Sequence, residues 1–270
     1  MTVERDGFAA TYYQAGNSER GCGVIVLGGS EGGVPERYAK AVADEGYAVL
    51  ALAYFKSPGT PSHLDEIPLE YFDKAVSWFV NTAPMKGKKT VLLGASKGAE
   101  LALLLASRKR EIEGVVAISP SSVVFQGIPE VFWPPRSSWI TSQTPVPFVP
   151  YDISGGIDPN NLRKLYERSL SNREKASQAA IPVERINGPI LLLSGEEDSM
   201  WPASTMADAV TKRLQQKSFK HHFRHVKYDD AGHTLSEYYM LGGTAEGNKT
   251  ARIDSWRRVF AFVSVLSEGK

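Results

Sequence analysis

The strongest sign of chemistry in the sequence is the pentapeptide GASKG at residues 94–98, which fits the pattern G-x-S-x-G. It lies between a short apolar run, Thr90 to Leu93, and a segment with helical spacing, Ala99 to Arg108. A serine on such a turn from strand to helix exposes its hydroxyl, and the following helix aims N–H groups at the same point. The pattern therefore predicts Ser96 as the nucleophile of an acyl-transfer reaction.

A serine hydroxyl needs a base, and the base needs a carboxylate that orients it. Of the five histidines, His233 is the best candidate, because it follows the predicted strand Phe223 to Tyr228 after only a short loop. A residue at that place reaches the crevice at the end of a strand. The other histidines precede this half of the sheet or lie at the strand itself: His63, His221, His222 and His225.

The orienting carboxylate is expected between the serine and the histidine in the chain, because the fold that carries this turn has the order serine, acid, histidine. The loop after the apolar run Pro189 to Leu193 offers three consecutive acidic residues: Glu196, Glu197 and Asp198. We choose Asp198, because Gly195 and Pro202 bracket a turn with this carboxylate at its far side. Glu196 or Glu197 could be the acid instead. Asp198 could also have no catalytic role and only cap the following helix.

The negative charge that develops on the reacting carbonyl oxygen requires two N–H donors. The first is predicted to be the backbone N–H of Lys97, the residue after the nucleophile. The second is expected from GGSEGG, residues 28–33, which follows the first buried apolar run. Ser30 is the first choice and Glu31 the alternative, and Gly29 and Glu31 are also expected to contact the substrate. The loop could instead bind phosphate, but its glycine spacing fits neither common nucleotide-binding fingerprint.

The elements that position these residues alternate between short apolar runs and segments of helical spacing. The predicted strands are 23–27, 47–55, 90–93, 114–118, 189–193 and 223–228. The predicted helices are 35–45, 69–80, 99–108, 204–214 and 251–263. This alternation predicts an α/β protein with a mostly parallel, doubly wound sheet whose strand ends form a ligand-binding crevice. With the nucleophile turn, it predicts an α/β-hydrolase fold as a single domain over residues 1–270.

One segment interrupts the alternation, because no strand candidate occurs between about residues 119 and 186. A structureless loop of this length is unusual, and long insertions often serve as lids. We expect a partly helical cap over the crevice, although a surface excursion packed by its own side chains is the alternative. Three aromatic residues of the segment, Phe132, Trp133 and Trp139, are predicted to form the floor of an apolar substrate pocket.

Composition excludes several classes of function. The 31 basic and 30 acidic residues are scattered without a basic block, which argues against a nucleic-acid partner. The longest apolar runs fall far short of the roughly 20 residues that span a bilayer, so no membrane insertion is expected. The single cysteine and the absence of a signal-peptide pattern predict a cytoplasmic protein. Because neighbouring strand positions point to opposite faces, the histidines near residues 221–225 cannot converge on a metal, and no metal or other cofactor is expected.

Several stretches resemble the C-terminal hydrolase domain of the acyl-CoA thioesterases and bile acid-CoA:amino acid N-acyltransferases, on the dienelactone-hydrolase-like branch of the α/β hydrolases. The similar stretches include LGGSEGG at 27–33, GYAVLALAYF at 46–55, GASKGAELAL at 94–103 and IPVERINGPILLLSGEEDSMWPA at 181–203. In that family the middle of the elbow is serine in the thioesterases and cysteine in the amino acid transferases, and this chain has Ser96. Mammalian relatives carry an additional β-sandwich domain ahead of this one.

The resemblance implies a serine hydrolase that cleaves acyl thioesters to free acid and thiol, with acyl-CoA as the expected substrate and water as the acyl acceptor. Two alternatives remain open on the sequence. One is a carboxylesterase or lactone hydrolase of the dienelactone-hydrolase type, which would use the same three residues on oxygen esters. The other is a catalytically inactive binding protein on the same fold. The expected partner is a small-molecule ester or thioester, and the sequence does not determine the oligomeric state.

Overall fold

The computed structural model describes residues 1–15, 20–131 and 133–268. Within these residues ten strands follow in chain order: β1 (Ala9–Tyr13), β2 (Cys22–Leu27), β3 (Ala48–Ala53), β4 (Ile67–Pro68), β5 (Lys89–Ala95), β6 (Ile112–Ile118), β7 (Trp139–Thr141), β8 (Thr144–Pro145), β9 (Ile190–Gly195) and β10 (Phe223–Tyr228). The helices are α1 (Val3–Asp6), α2 (Glu36–Ala43), α3 (Leu69–Asn81), α4 (Lys97–Ala106), α5 (Arg163–Ser171), α6 (Arg173–Gln178), α7 (Ala203–Gln216) and α8 (Ala245–Glu268). Short 3₁₀ turns occur at Ala83–Met85 and Val183–Arg185.

Seven strands form the main sheet in the order β1-β3-β2-β5-β6-β9-β10. All neighbours pair in parallel except β1, which runs antiparallel to β3 at one edge. Every residue of β2, β3 and β9 is buried, because helices cover both faces of the sheet. The α/β-hydrolase fold predicted from the sequence is confirmed.

The helices divide between the two faces of the sheet. On one face α3, α4 and α7 contribute side chains such as Phe72, Leu103 and Val210 to a large core. On the other face α2 and α8 contribute Val42 and Val259, among others, to a second core. All six strands and all five helices predicted outside the insertion are present, with ends shifted by a few residues.

The sequence analysis missed the edge strand β1 and the short strands of the small sheet. β1 is a partly exposed edge strand, and its sequence AATYY gives a weak apolar pattern. The insertion contains β7 and β8, which join β4 in a small three-stranded sheet, so the expectation of no strand between residues 119 and 186 is wrong. Strands of two or three residues are too short to show a periodicity in the sequence.

The rest of the insertion packs around an aromatic cluster. The ring of Tyr166 on α5 lies 4.8 Å from that of Phe125 and 5.5 Å from that of Trp201, which belongs to the loop after β9. Arg163 of α5 also donates hydrogen bonds to the carbonyl oxygens of Glu196 (2.9 Å) and Asp198 (3.3 Å). The insertion is thus fastened to the loop that carries the predicted acid.

Two features are absent from the part of the chain that the structure describes. No helix there combines the length and the apolar composition needed to cross a membrane. No three histidine, cysteine, aspartate or glutamate side chains of those residues are grouped so that they could hold a metal ion.

Candidate active site

The predicted nucleophile stands on a strained turn between β5 and α4. Ser96 has φ = +56° and ψ = −123°, a conformation that costs free energy for a residue with a side chain. The turn is tight enough to exclude side chains at both flanking glycines. A Cβ on Gly94 would lie 2.1 Å from the carbonyl oxygen of Gly98, and a Cβ on Gly98 would lie 2.3 Å from the carbonyl oxygen of Leu27. The two glycines therefore permit the packing that exposes the Ser96 hydroxyl.

The three residues chosen from the sequence meet at the carboxyl ends of the strands. The Ser96 hydroxyl lies 2.8 Å from Nε2 of His233, and Nδ1 of His233 lies 2.7 Å from Oδ2 of Asp198. The other carboxylate oxygen of Asp198 accepts hydrogen bonds from the N–H groups of Met200 (2.8 Å) and Trp201 (3.1 Å). These bonds hold the carboxylate in one orientation behind the imidazole.

The surroundings of the imidazole fix its position. The His233 side chain is 6% exposed and that of Asp198 is 1% exposed. The indole ring of Trp201 lies edge-on to the imidazole at 5.7 Å, and the His233 backbone N–H donates to the carbonyl of Leu241 at 2.9 Å. Of the two alternative acids, Glu196 lies beside Lys227 instead (3.7 Å). The arrangement can transfer a proton from serine to histidine without a large movement.

Donors for an oxyanion are present next to the serine. Lys97 is the first residue of α4, so its N–H has no acceptor within the helix. The loop after β2 approaches from the other side, since a Cβ on Gly29 would lie 3.0 Å from Cβ of Ser96. The Gly29 N–H already donates to the Glu31 carboxylate at 2.9 Å, which leaves the N–H groups of Ser30 and Glu31 as candidates. The choice between them stays a prediction.

The side chain of Lys97 has a role that sequence analysis missed. It is buried and bonds both carboxylate oxygens of Glu100, at 2.8 and 2.9 Å. Glu100 also accepts hydrogen bonds from the indole N–H of Trp139 (2.9 Å) and the backbone N–H of Phe125 (3.2 Å). Burial lowers the pKa of Lys97 and raises that of Glu100. The only signal in the sequence was a lysine and a glutamate three residues apart in the otherwise apolar segment KGAELALLLA.

The structure contradicts the prediction that Trp133 and Trp139 line the substrate pocket. Trp139 is fully buried between Tyr54, Phe72 and Glu100, so it cannot touch a substrate. Trp133 is 77% exposed and is not part of the cleft beside Ser96. Phe132 lies outside the described residues. No described residue of the insertion lines that cleft, and the insertion instead supports the loop of Asp198 from behind.

The cleft beside Ser96 has a volume of about 380 Å³. Its wall includes Gly29, Ser30 and Glu31, and their contact with a substrate stays a prediction. Its apolar and aromatic lining comes from other parts of the chain, namely Tyr38, Ile118, Met200, Leu235, Tyr239, Leu241 and Trp256. Burial raises the pKa of Tyr38 to about 12, which keeps this phenol neutral. The sequence could not assign these residues, because they come from α2, α8, the end of β6 and two separate loops.

A second serine, histidine and aspartate are linked in the same way elsewhere. Ser194 Oγ lies 2.7 Å from Nε2 of His225, and Nδ1 of His225 lies 3.0 Å from Asp208, which also pairs with Lys227 at 2.6 Å. Ser194 is completely buried, and its backbone pairs within the sheet as the last but one residue of β9. This arrangement has neither access for a substrate nor free N–H donors, so we assign it a structural role.

The hydrogen-bonded chain Ser194–His225–Asp208 gives a prediction about how stability depends on pH. Burial lowers the pKa of His225 below its ordinary value, so the unfolded chain binds more protons than the folded chain as the pH falls through about 6.5. The stability contributed by neutral His225 is complete above this pH and is lost below it. We expect acidification from about pH 7 to about pH 5 to lower the Tm less in His225→Gln than in wild type. His63→Gln, at a half-buried position outside this hydrogen-bonded chain, is the control, and an equal loss in all three proteins would contradict the assignment.

Comparison with known families gives one extended match. A family model described as "BAAT / Acyl-CoA thioester hydrolase C terminal" matches residues 67–266. The match includes the positions of Ser96, Asp198 and His233, and most of the main sheet.

Curated proteins of the mouse, Mus musculus, are similar over most of the chain. "Acyl-coenzyme A thioesterase 6" is 30% identical over 268 residues, which cover 92% of this chain and 60% of that protein. "Peroxisomal succinyl-coenzyme A thioesterase" is 28% identical over 263 residues, which cover 89% of this chain and 59% of that protein. The chain thus spans about 60% of the length of these relatives.

Solved structures share the fold at low sequence identity. A monoacylglycerol lipase of Paleococcus ferrophilus has a TM-score of 0.54 and 21% identity, with coverage of 96% of this chain and 99% of that one. An esterase of Pyrococcus furiosus has a TM-score of 0.57 and 15% identity, with coverage of 99% and 94%. At these identities the likeness concerns the fold alone.

Proposed function

Because the chain belongs to the family of the BAAT / acyl-CoA thioester hydrolase C-terminal domain, we propose that it hydrolyses acyl thioesters, with Ser96, His233 and Asp198 as its catalytic triad. The observation that carries the proposal is the unbroken chain of hydrogen bonds, 2.8 Å from Ser96 to His233 and 2.7 Å from His233 to Asp198. Ser96 also lines a cleft large enough for a small ligand, so a bound substrate can reach its hydroxyl.

In the first half of the reaction, the Ser96 oxygen bonds to the thioester carbonyl carbon while His233 takes the hydroxyl proton. Asp198 stabilises the imidazolium that results. The backbone N–H groups of Lys97 and Ser30 donate to the oxyanion of the tetrahedral intermediate. The carbon–sulfur bond then breaks, and the thiol leaves with the proton from His233. The acyl group remains as an ester of Ser96.

The second half repeats these steps with water. His233 removes a proton from water as the water oxygen bonds to the acyl carbon, and the same donors stabilise the second oxyanion. The bond to Ser96 breaks, and the serine recovers the proton. The sum is thioester and water to carboxylic acid and thiol, which balances without a metal or other cofactor.

The lining of the cleft supports an acyl group as the bound part of the substrate. Tyr38, Met200 and Trp256 provide apolar surface within the cleft that contains Ser96 and His233. Its volume of about 380 Å³ is near the lower end for small-molecule sites. We therefore expect short or medium acyl chains to be better substrates than long ones.

The leaving group is tested by comparing a thioester with an ester of the same acid. We expect kcat/KM for an acyl-CoA of about six carbons to exceed that for the matched p-nitrophenyl ester by at least about tenfold, which corresponds to about 1.4 kcal/mol in the transition state. Free thiol and nitrophenolate are the two readouts. A preference for the ester would favour the alternative of a carboxylesterase or lactone hydrolase.

The place of action is a separate part of the proposal. The single cysteine favours the reducing cytoplasm. The curated relatives include a protein described as peroxisomal and one described as mitochondrial. Fractionation of cells, with detection of the intact chain, tests the cytoplasmic assignment.

A further inference from the structure

The proposed base and the proposed nucleophile follow strands that are not neighbours in the sheet. His233 follows β10 at one edge, whereas Ser96 follows β5, and both β6 and β9 lie between these two strands. At the usual spacing of strands, the ends of β5 and β10 are roughly 14 Å apart. The loop of residues 229–244, which we call the histidine loop, has to cross this distance. A bond from the histidine loop to the middle of the sheet would fix where the imidazole lies.

Ser119, the residue after β6, makes a bond of this kind. Its hydroxyl donates to the backbone carbonyl oxygen of His233 at 2.5 Å. Among the described residues, no other group donates to that carbonyl oxygen. Ser119 is 1% exposed and His233 is 6% exposed, so water has little access to this contact. Loss of the hydroxyl would leave the carbonyl oxygen without its partner.

The other hydrogen bonds of the histidine loop lead away from β5 and β6. The His233 N–H donates within the loop itself. Bonds to other elements lead to α2, to α8 through Asn248, and to the loop after β9 through the N–H of Glu197. Apart from the bond between His233 and Ser96, one hydrogen bond among the described residues joins the histidine loop to β5, β6 or the turns after them. The Ser119 hydroxyl makes that bond.

The backbone of Ser119 has a conformation that a glycine would adopt more easily. Its φ is +48°, which costs free energy for a residue with a Cβ. Its N–H donates to the carbonyl of Leu193 on β9 at 2.7 Å, and the carbonyl of Ile118 accepts from the N–H of Ser96 at 2.9 Å. Residues 118–119 thus contact the three segments that carry the proposed triad. A glycine would relieve the strain but could not bond His233, so substitution can separate the two properties.

We propose that Ser119 is a positioning residue, whose hydroxyl holds the backbone of His233 so that the imidazole stays within reach of Ser96. This inference rests on the proposed function for its reaction. Without the hydroxyl, the histidine loop keeps its bonds to α8 and to the loop after β9, so the chain still folds. The imidazole is then free to move away from Ser96, which lies 2.8 Å from it. A displacement of about 1 Å at a reacting group can lower a rate about 100-fold.

Two substitutions separate the hydroxyl from the backbone strain. Ser119→Ala and Ser119→Gly both remove the hydroxyl, and the glycine also relieves the strain at φ = +48°. We expect both variants to lower kcat for an acyl-CoA of about six carbons by about 10- to 100-fold. KM should stay within about threefold, because Ser119 does not line the cleft. The Tm of Ser119→Gly should equal or exceed that of Ser119→Ala. An unchanged kcat, or a kcat that follows the Tm of the two variants, overturns the proposal.

Ser121→Ala is a matched control in the same segment. Ser121 is also completely buried, and its hydroxyl donates to the carbonyl oxygen of Val123 at 2.7 Å. This bond lies within the insertion and does not reach the histidine loop. The variant should keep kcat within about twofold, whatever the change in its Tm. An equal loss of kcat in Ser121→Ala and Ser119→Ala would show a general effect of buried hydroxyls and would refute the role of Ser119.

The rate of labelling by a fluorophosphonate keeps this inference separate from the proposed reaction. Such a probe reacts with a serine that a histidine activates, and it needs no thioester. Both Ser119 variants should be labelled about 10- to 100-fold more slowly than wild type, whereas Ser121→Ala should be labelled at the rate of wild type. Rapid labelling of wild type without cleavage of any thioester would refute the proposed hydrolysis alone. Equal labelling rates in wild type and both Ser119 variants would refute the positioning role.

Discussion

Replacement of Ser96 by alanine should lower kcat for thioester hydrolysis by about 10⁴- to 10⁶-fold, with little change in stability. The alanine methyl cannot attack the carbonyl, and neither His233 nor Asp198 can supply the missing nucleophile. Ser96 is partly exposed at a turn, so the variant leaves no large cavity. The measurement is release of free thiol from an acyl-CoA under single-turnover and steady-state conditions. The far-ultraviolet circular dichroism spectrum should match that of wild type.

The hydrogen-bonded chain Ser194–His225–Asp208 offers a matched control for this experiment. Ser194→Ala removes a hydroxyl that bonds a histidine at 2.7 Å, just as Ser96→Ala removes one at 2.8 Å. Only the second hydroxyl opens into the cleft, so Ser194→Ala should retain turnover within a few-fold. A fluorophosphonate probe should label wild type and Ser194→Ala but not Ser96→Ala. Full turnover by Ser96→Ala would refute the mechanism, and no labelling of wild type would favour an inactive binding protein.

The main fold and the meeting of Ser96, Asp198 and His233 could be predicted because the relevant signals are local. Each residue follows a strand of the main sheet, and the carboxyl ends of parallel strands lie along one edge of the sheet. The order serine, acid, histidine along the chain, which is typical of this fold, then gave each residue its predicted role. The distances of 2.7 and 2.8 Å required the folded chain, since 137 positions separate the serine from the histidine.

The lining of the cleft could not be predicted, because it depends on which face of an element meets the site. Trp139 looked suitable for a substrate floor by residue type, yet its indole N–H bonds buried Glu100. Tyr38 and Trp256 lie on helices far apart in the sequence, and their rings approach within 5.9 Å only after both helices pack on the same face of the sheet. Aromatic residues serve cores and binding sites equally well, so composition alone cannot separate these roles.

A second large effect is expected at the buried pair behind the nucleophile. Lys97→Met should lower the free energy of unfolding by about 3–5 kcal/mol, because it leaves the Glu100 carboxylate buried without its cation. Both side chains are almost fully buried, at 2% and 0% exposure, so water cannot solvate the unpaired charge. Urea denaturation followed by intrinsic tryptophan fluorescence gives the free energy. Lys86→Met at an exposed position should change it by less than about 0.5 kcal/mol.

A double variant separates loss of the ion pair from loss of packing. In Lys97→Met/Glu100→Gln the buried charge is gone, while the amide oxygen still accepts a hydrogen bond from Trp139 or Phe125. We expect this double variant to be more stable than Lys97→Met by at least about 1 kcal/mol, because an unpaired buried carboxylate costs more than a buried amide. If Lys97→Met cost less than about 1 kcal/mol, or the double variant were less stable than it, the pair would not anchor the elbow to the insertion. If both hold, the part of the insertion around Trp139 is a rigid support for the Ser96 turn.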